Sequence, residues 1–237
     1  MNEFMSLTAQ IILWVCAAAG VGLAMFSFVK GGPQMKTPIL MLVMVSAAVW
    51  SICIAVMLAS DMNVETVASL NLVSMPATLV AMYGVVLLNL SFTHANHKQL
   101  RLIALLAAIP ALTVVIALVI DHDYIYYNYR VLESTRIIER SINMPGLIHF
   151  GGIVLVYFVM MIVAAVRAWR EAKTKEGKKT MLFVMVGSVI CVTLGLGTSF
   201  VLPAIGVTDF NWIAPCSLII YAAAAYLAIV RFGDDKL

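Results

Sequence analysis

The sequence has very little charge. Of its 237 residues, 15 are Lys or Arg and 12 are Asp or Glu, so 11% are charged where ordinary globular domains have about a quarter. These charges are also unevenly spread, because seven stretches of 19 to 26 residues contain none. With 63% hydrophobic residues and a mean hydropathy of +1.01, the composition excludes an ordinary soluble domain.

Motifs for several kinds of chemistry are absent as well. No Gly-rich phosphate motif of the GxGxxG or GxxxxGK[ST] type occurs. The four cysteines, Cys16, Cys53, Cys191 and Cys216, all fall in apolar stretches, which argues against a disulfide framework and against a metal site. The apolar stretches also lack the lysine of retinal proteins and the carboxylate of ion-coupled pumps. The sequence therefore requires no cofactor and no metal.

What is present is a series of membrane-spanning helices. A helix needs about 20 apolar residues to cross a hydrocarbon core of roughly 30 Å, and each charge-free stretch has that length. We predict an all-α integral membrane protein, a single seven-helix bundle with spans at about 8–29, 38–60, 67–92, 102–120, 146–169, 181–203 and 211–230. Five of the six connections are short, which leaves no room for a soluble catalytic domain.

The basic residues predict how the bundle is oriented. Cytoplasmic loops retain Lys and Arg, and twelve of the fifteen lie on one side of the predicted spans. We therefore expect the N-terminus outside and the C-terminus inside, in a multi-pass protein of the plasma or inner membrane. Because these residues follow the membrane boundary, the net charge of +3 indicates topology and the lipid bilayer rather than nucleic acid.

A few uncharged polar and aromatic residues lie within or beside the spans. Given the topology, Asn71, Ser74, His149 and Trp212 are expected in the outer third of the bundle, with Trp50 nearer the middle. Together they predict a cleft for a small or lipid-like ligand that opens to the outside. Alternatively, such residues form hydrogen bonds between helices, and Trp lies at the membrane interface for its own reasons.

Proline and small residues predict local helix geometry. Pro76, Pro110 and Pro215 fall within predicted spans, where proline bends a helix. Small residues at close-packing spacing, such as Gly20 with Ala24 and Ala18 with Gly22, are expected mainly to let helices in the bundle approach each other.

The single long connection covers residues 121–145 on the predicted outer face. Its four tyrosines, together with Ile125 and Val131, favour a short β-hairpin over the mouth of the bundle, where Tyr124, Tyr126, Tyr127 and Tyr129 could touch the ligand. The alternative is a surface helix over 132–142, since Glu133 and Arg136 have the spacing of a helical ion pair.

Patterns along nearly the whole chain resemble a known family. They include AAVWSICIAVMLAS, MPATLVAMYGVVLLNLSF and GLIHFGGIVLVYFVMMIVAAVRAWREA, followed by LGLGTSFVLPAIGV and NWIAPCSLIIYAAAAYLAIVRF. In this order they are similar to the N-terminal seven-transmembrane sensor region of bacterial and archaeal histidine kinases, which also precedes some cyclic-dinucleotide signalling enzymes.

The resemblance implies a dimeric receptor that passes the movement of its last helix to a cytoplasmic kinase or cyclase domain. Because the sequence ends at Leu237, we expect a non-enzymatic sensor part whose output lies elsewhere, in a removed segment or a partner chain. Two alternatives remain open. One is a seven-helix facilitative transporter, on the evidence of Pro33-Gln34, and the other is a structural subunit of a membrane complex.

Overall fold

The computed structural model describes residues 3–30, 36–58, 63–93, 97–132, 137–202, 205 and 212–232. Within these ranges seven α-helices are long and apolar enough to cross a membrane, which confirms the predicted seven-span bundle. They are α1 (Glu3–Lys30), α2 (Lys36–Met57), α3 (Val64–Ser91), α4 (His97–Ile120), α5 (Met144–Glu171), α6 (Lys175–Leu196) and α7 (Ile213–Phe232). Pro33 and Gln34, which favoured a transporter, lie outside the described residues.

Local sequence explains where several helices begin. The Asn63 side chain accepts a hydrogen bond from the Thr66 amide and so caps α3, while Thr174 accepts one from the Gly177 amide and caps α6. The Thr174 cap starts α6 six residues before the predicted span, within the basic segment. At its other end α6 continues into a π-helical turn, Gly197–Val201.

The helices form a closed ring. Each helix packs on the next one along the chain, and α7 returns to contact both α1 and α2. Apolar side chains and two tyrosines fill the interior, including Leu40, Met44, Leu79, Leu88, Tyr157, Met161, Leu218 and Tyr221. Large apolar side chains such as Phe28 on α1 and Val119 on α4 point out of the ring. Because the spans carry charge only near their ends, this outer surface suits lipid rather than water.

Small residues let some of these helices approach closely. A Cβ atom on Gly84 of α3 would lie 2.7 Å from Val43 Cγ2 of α2, and one on Gly20 of α1 would lie 3.2 Å from the Met44 carbonyl oxygen. Gly20 and Ala24 are buried, as a packing role requires. Ala18 and Gly22 are instead exposed on the outside of α1, so this second pair does not contribute to packing within the bundle.

The connection between α4 and α5 contains two antiparallel strands, β1 (Tyr126–Leu132) and β2 (Ile137–Ile142). Residues 137–142, for which a surface helix was the alternative, are therefore in a strand. The pairing shifts by one residue between Tyr127 and Arg130, which indicates a β-bulge in β1. We call β1 and β2 the hairpin, and the end of the ring where they lie the hairpin end. Glu133 and Arg136 lie outside the described residues.

The three prolines differ in their position within the helices. Pro76 and Pro110 lie inside α3 and α4, where each lacks an amide that the helix would otherwise use. Pro215 lies in the first turn of α7, because that helix begins at Ile213 rather than at 211. The first-turn amides have no partner within a helix, so the bend predicted at Pro215 loses its physical basis.

Candidate functional site

The clearest polar feature inside the ring is one face of α3. Asn71, Ser74 and Thr78 follow each other at spacings of three and four residues, which places them on one side of a helix, and all three are buried. The Ser74 hydroxyl donates to the Asn71 carbonyl oxygen at 3.1 Å, and the Thr78 hydroxyl donates to the Ser74 carbonyl oxygen at 2.8 Å. We call these three residues the α3 polar face.

Trp50 lies level with the inner end of this face. α2 and α3 run in opposite directions, and Val43 of α2 lies against Gly84 of α3, so Trp50, seven residues after Val43, is level with Ala77, seven residues before Gly84. At 1.5 Å per residue, Trp50 is therefore about 9 Å deeper in the bundle than Asn71. The Trp50 side chain is buried.

His149, at the start of α5, joins two other elements. Its Nδ1 atom is hydrogen-bonded to the Tyr124 hydroxyl just before the hairpin, and its Nε2 atom lies 3.4 Å from the Thr113 hydroxyl on α4. The Tyr124 and His149 rings meet edge to face, with centroids 6.0 Å apart. Thr113 in turn donates to the Pro110 carbonyl oxygen at 2.7 Å.

The direction of these bonds follows from the groups involved. Partial burial raises the pKa of the Tyr124 phenol, so the phenol stays protonated and its O–H group donates a hydrogen bond to Nδ1. The imidazole tautomer with its proton on Nε2 then donates a hydrogen bond to the Thr113 hydroxyl oxygen. This hydroxyl donates its own proton to the Pro110 carbonyl oxygen. His149 therefore links the start of the hairpin to α4.

His149 does not join the α3 polar face. It is exposed on the outside of the ring, because Leu147 and Phe150 occupy the buried side of the first turn of α5. The expectation that His149 and Asn71 line one internal cleft is corrected in this respect. His149 was assigned to the cleft because of its expected depth in the bundle, and depth does not reveal which side of a helix a residue is on.

The base of the hairpin is fixed to the ring. Ile125 and Tyr126 are buried, and the Ile125 carbonyl oxygen accepts a hydrogen bond from the Asn143 amide at 2.8 Å. A Cβ atom on Gly146 would lie only 1.8 Å from the Tyr124 carbonyl oxygen, so this approach requires glycine. The Tyr127 and Tyr129 side chains lie outside the described part of the structure.

The last of the predicted residues lies at the hairpin end of α7. Trp212 immediately precedes this helix, is partly buried, and accepts a hydrogen bond from the Cys216 thiol on its carbonyl oxygen. Of the predicted residues, the structure thus buries Trp50, Asn71 and Ser74 inside the ring and joins Tyr124 to His149 by direct contact.

Several buried polar contacts were missed at the sequence level. In the other half of the bundle the Asn89 amide donates to the Ser188 hydroxyl at 3.3 Å, which joins α3 to α6. The Ser217 hydroxyl lies 3.2 Å from the Cys191 carbonyl oxygen, which joins α7 to α6. Thr78 was also missed, although its spacing from Asn71 and Ser74 is a visible signal. No comparable spacing identifies Asn89 with Ser188.

Tyrosines hold α4 against the ring. The Tyr157 hydroxyl of α5 donates to the Ala107 carbonyl oxygen at 2.6 Å, and the Tyr83 hydroxyl of α3 donates to the Ala104 carbonyl oxygen at 3.0 Å. Both acceptors belong to the turns of α4 that precede Pro110. These bonds fix a helix that otherwise contributes little to the interior.

The chemistry available to these groups is hydrogen bonding. Among the described residues there is no group of three or more His, Cys, Asp or Glu side chains that could hold a metal ion. The α3 polar face carries hydroxyl and amide groups in an interior that is mostly apolar and that also holds the indole of Trp50. Such a surface can recognise the polar group of a mainly apolar molecule.

Comparison with protein families matches residues 12–234 to the N-terminal 7TM region of histidine kinase. A comparison with curated proteins finds no match. The family match covers nearly the whole chain and agrees with the seven apolar helices of the structure. This chain therefore belongs to the family of N-terminal seven-transmembrane regions of histidine kinases.

Proposed function

We propose that the bundle binds a small or lipid-like ligand at its hairpin end and relays binding through α7 to a cytoplasmic kinase or cyclase domain. The observation that carries this proposal is the α3 polar face. It places three buried polar side chains one after another on one side of α3, inside a ring whose other buried residues are mostly apolar. The family supplies the sensory role.

The chemical class of the ligand follows from the surroundings of the α3 polar face. The spans are free of charge except near their ends, so an ionised group at the α3 polar face would lie in the interior without a counter-ion, at a large cost in free energy. A neutral molecule with an apolar body and one or two hydrogen-bonding groups fits the face better. Trp50, which is level with the Thr78 end of the face, offers a broad apolar surface for that body.

The hairpin is the lid of this site in our proposal. Its base contacts both α3 and the start of α5, which places it beside the mouth of the ring. Because Gly146 allows the close approach of Tyr124, Gly146→Ala should loosen this base. We expect at least about a tenfold faster hydrogen exchange at the Asn143 amide, which is bonded to Ile125.

Gly152→Ala is the matched control for Gly146→Ala. Gly152 lies on the same helix, and an added Cβ atom there has nothing within 4 Å. Exchange at Asn143 should therefore stay at the wild-type rate in this variant. Equal exchange rates in both variants would show that Gly146 does not hold the hairpin.

The contacts of α7 with its neighbours would carry the proposed relay. This helix packs on α1, α2 and α6, and Ser217 bonds it to the backbone of α6. Asn89 bonds α6 in turn to α3, which carries the polar face. A ligand shifts the position of α7 only if it binds two arrangements of the ring with different affinity. These buried bonds are the contacts that such a shift would rearrange.

The proposed function also requires an orientation. With the hairpin end outside, the ligand comes from the outer side of the plasma or inner membrane, and Phe232 ends α7 at the cytoplasm. The basic residues in the first turn of α6, such as Lys175 and Lys178, support this orientation. Green fluorescent protein fused after Phe232 should fluoresce, whereas alkaline phosphatase at the same position should be inactive. The reverse pattern would overturn this orientation.

The functional unit is a homodimer in this proposal. Ala18 and Gly22 support it, since they are exposed on α1 and have the spacing at which two helices can approach each other. Gly22→Cys in membranes should give a disulfide-linked dimer on mild oxidation, whereas Leu105→Cys on α4 should not. Equal dimer yields from both variants would contradict this interface.

Ligand binding is tested by what the protein retains during purification. The chain is purified in lipid nanodiscs, extracted, and compared with empty nanodiscs by mass spectrometry. Wild type should enrich a neutral, mainly apolar molecule. Ser74→Leu should retain at least about tenfold less of it, because leucine fills the polar face and removes its hydroxyl.

Thr193→Leu is the control for this experiment, since it makes the same kind of change at an exposed position on α6. It should retain the ligand as wild type does. If wild type enriches nothing over empty nanodiscs, or if Ser74→Leu retains as much as Thr193→Leu, the α3 polar face is not the binding site.

A further inference from the structure

Two cysteines from opposite ends of the sequence meet in the bundle. Cys16 on α1 lies beside Cys216 on α7, and both thiols are free and partly exposed. The other two cysteines, Cys53 and Cys191, are buried on α2 and α6. From the sequence alone, the position of all four in apolar stretches argued against a disulfide framework.

Two neighbouring contacts fix the same register between the two helices. α1 and α7 run in the same direction, and an added Cβ on Gly20 would lie 3.4 Å from Ile219 Cδ1. Further along, the Phe26 and Tyr226 rings lie with centroids 5.8 Å apart. One helical turn back from the Gly20 contact brings Cys16 opposite Cys216. The packing of α1 on α7 therefore places the two cysteines opposite each other.

The Cys216 side chain is also held in place. Its sulfur lies 3.2 Å from the Trp212 carbonyl oxygen one turn earlier in α7. Both cysteines lie in charge-free stretches of sequence, so the surroundings of the pair are hydrocarbon rather than water. A reagent that reaches the pair must therefore be soluble in the membrane.

We propose that Cys16 and Cys216 form a redox modification site, in which a membrane-soluble quinone oxidises the two thiols to a disulfide between α1 and α7. Two S–H bonds break and one S–S bond forms. The two electrons and two protons reduce the quinone to a quinol. The family role does not require this chemistry, and it uses no residue of the α3 polar face.

The disulfide has a defined consequence for the bundle. α7 is held by non-covalent contacts in the reduced form, whereas the disulfide ties it to α1 at the level of Cys216. Oxidation therefore opposes any movement of α7 relative to α1. This effect on signalling rests on the proposed function, whereas formation of the disulfide itself does not depend on it.

The first test counts free thiols. The full chain in lipid nanodiscs is treated with tetramethylbenzoquinone, a fully substituted quinone that cannot add to thiols, and is then unfolded and labelled with a maleimide polymer. We expect the number of labels to fall from four to two and to return to four with dithiothreitol. Mass spectrometry should identify the peptides of Cys16 and Cys216 joined within one chain.

Cys16→Ser and Cys216→Ser supply the controls. Each retains three cysteines, and each should carry three labels before and after the quinone. Cys53→Ser should fall from three labels to one, as its pair is intact. Four labels on treated wild type, a loss of labels in Cys16→Ser, or a bond between two chains would each overturn the proposal.

A second measurement separates this site from the proposed relay. The chain is fused after Phe232 to a histidine-kinase catalytic domain, and autophosphorylation is compared before and after oxidation, with Cys16→Ser as the control. If oxidation changes autophosphorylation in wild type but not in Cys16→Ser, the disulfide is linked to signalling. If the disulfide forms but the activity does not change, the site stands and the relay through α7 fails.

Discussion

α3 and α4 are adjacent helices that are both apolar enough to cross a membrane, and each has a proline in its interior, yet they have opposite places in the bundle. In the most apolar stretch of α3, 56% of the residues are buried, against 17% in α4. α3 carries Asn71, Ser74, Thr78 and Asn89 on its buried side. α4 presents leucine and isoleucine to the outside.

This difference shows what marks the interior of a membrane protein. In water an apolar side chain is driven inward, but in lipid an apolar side chain is equally well accommodated on the outside. α4 is the more hydropathic of the two helices and is the less buried. Small and uncharged polar residues, which lipid accommodates poorly, are the better guide to the buried face.

The largest expected difference between the two helices comes from removing a leucine. Leu79 of α3 is fully buried, whereas Leu105 of α4 is 68% exposed. Leu79→Ala leaves a cavity and should lower the free energy of unfolding by about 2–4 kcal/mol. Leu105→Ala should change it by less than about 0.5 kcal/mol, because lipid chains fill the space. Unfolding in mixed micelles measures both, and equal losses would contradict the assignment of the two faces.

A smaller effect is expected from adding a methyl group. Gly84→Ala on α3 pushes a Cβ atom towards Val43, which must move by several tenths of an ångström, and should cost about 1–3 kcal/mol. Gly152→Ala, on an open surface of α5, should instead be neutral or slightly stabilising because alanine favours the helix. The same unfolding measurement applies. A neutral Gly84→Ala would mean that α2 and α3 are not in close contact.

The smallest effect concerns hydroxyl groups. Thr78→Val should cost about 0.5–1 kcal/mol, since it replaces the Thr78 hydroxyl with a buried methyl group and removes its bond to the Ser74 carbonyl oxygen. Thr113→Val on α4 removes a similar bond at an exposed position and should cost less than that. A Thr113→Val variant at least as destabilised as Thr78→Val would reverse the comparison.

The sequence predicted the spans but not which sides of them face inward. Every span must contain about 20 apolar residues, and this constraint leaves a signal that composition reveals. Leu79 and Leu105 look alike in the sequence, because an apolar helix in lipid needs no polar side. The spacing of Asn71 and Ser74 did indicate a face, and extending it by one turn would have included Thr78.

The errors in the candidate site have particular causes. His149 was grouped with the internal residues by depth, but Leu147 and Phe150 turn it to the outside. The meeting of Cys16 with Cys216 depends on the closure of the ring, which brings the first helix to the last and which no local pattern encodes.

The central claim is that the α3 polar face controls a signal that leaves through α7. The most direct test is autophosphorylation of the fusion that joins this chain after Phe232 to a kinase catalytic domain, in membranes that supply the ligand. Ser74→Leu should change the activity by about fivefold or more, as expected for typical coupling between two sites, while Thr193→Leu should match wild type. Equal activity in wild type and both variants would contradict the account.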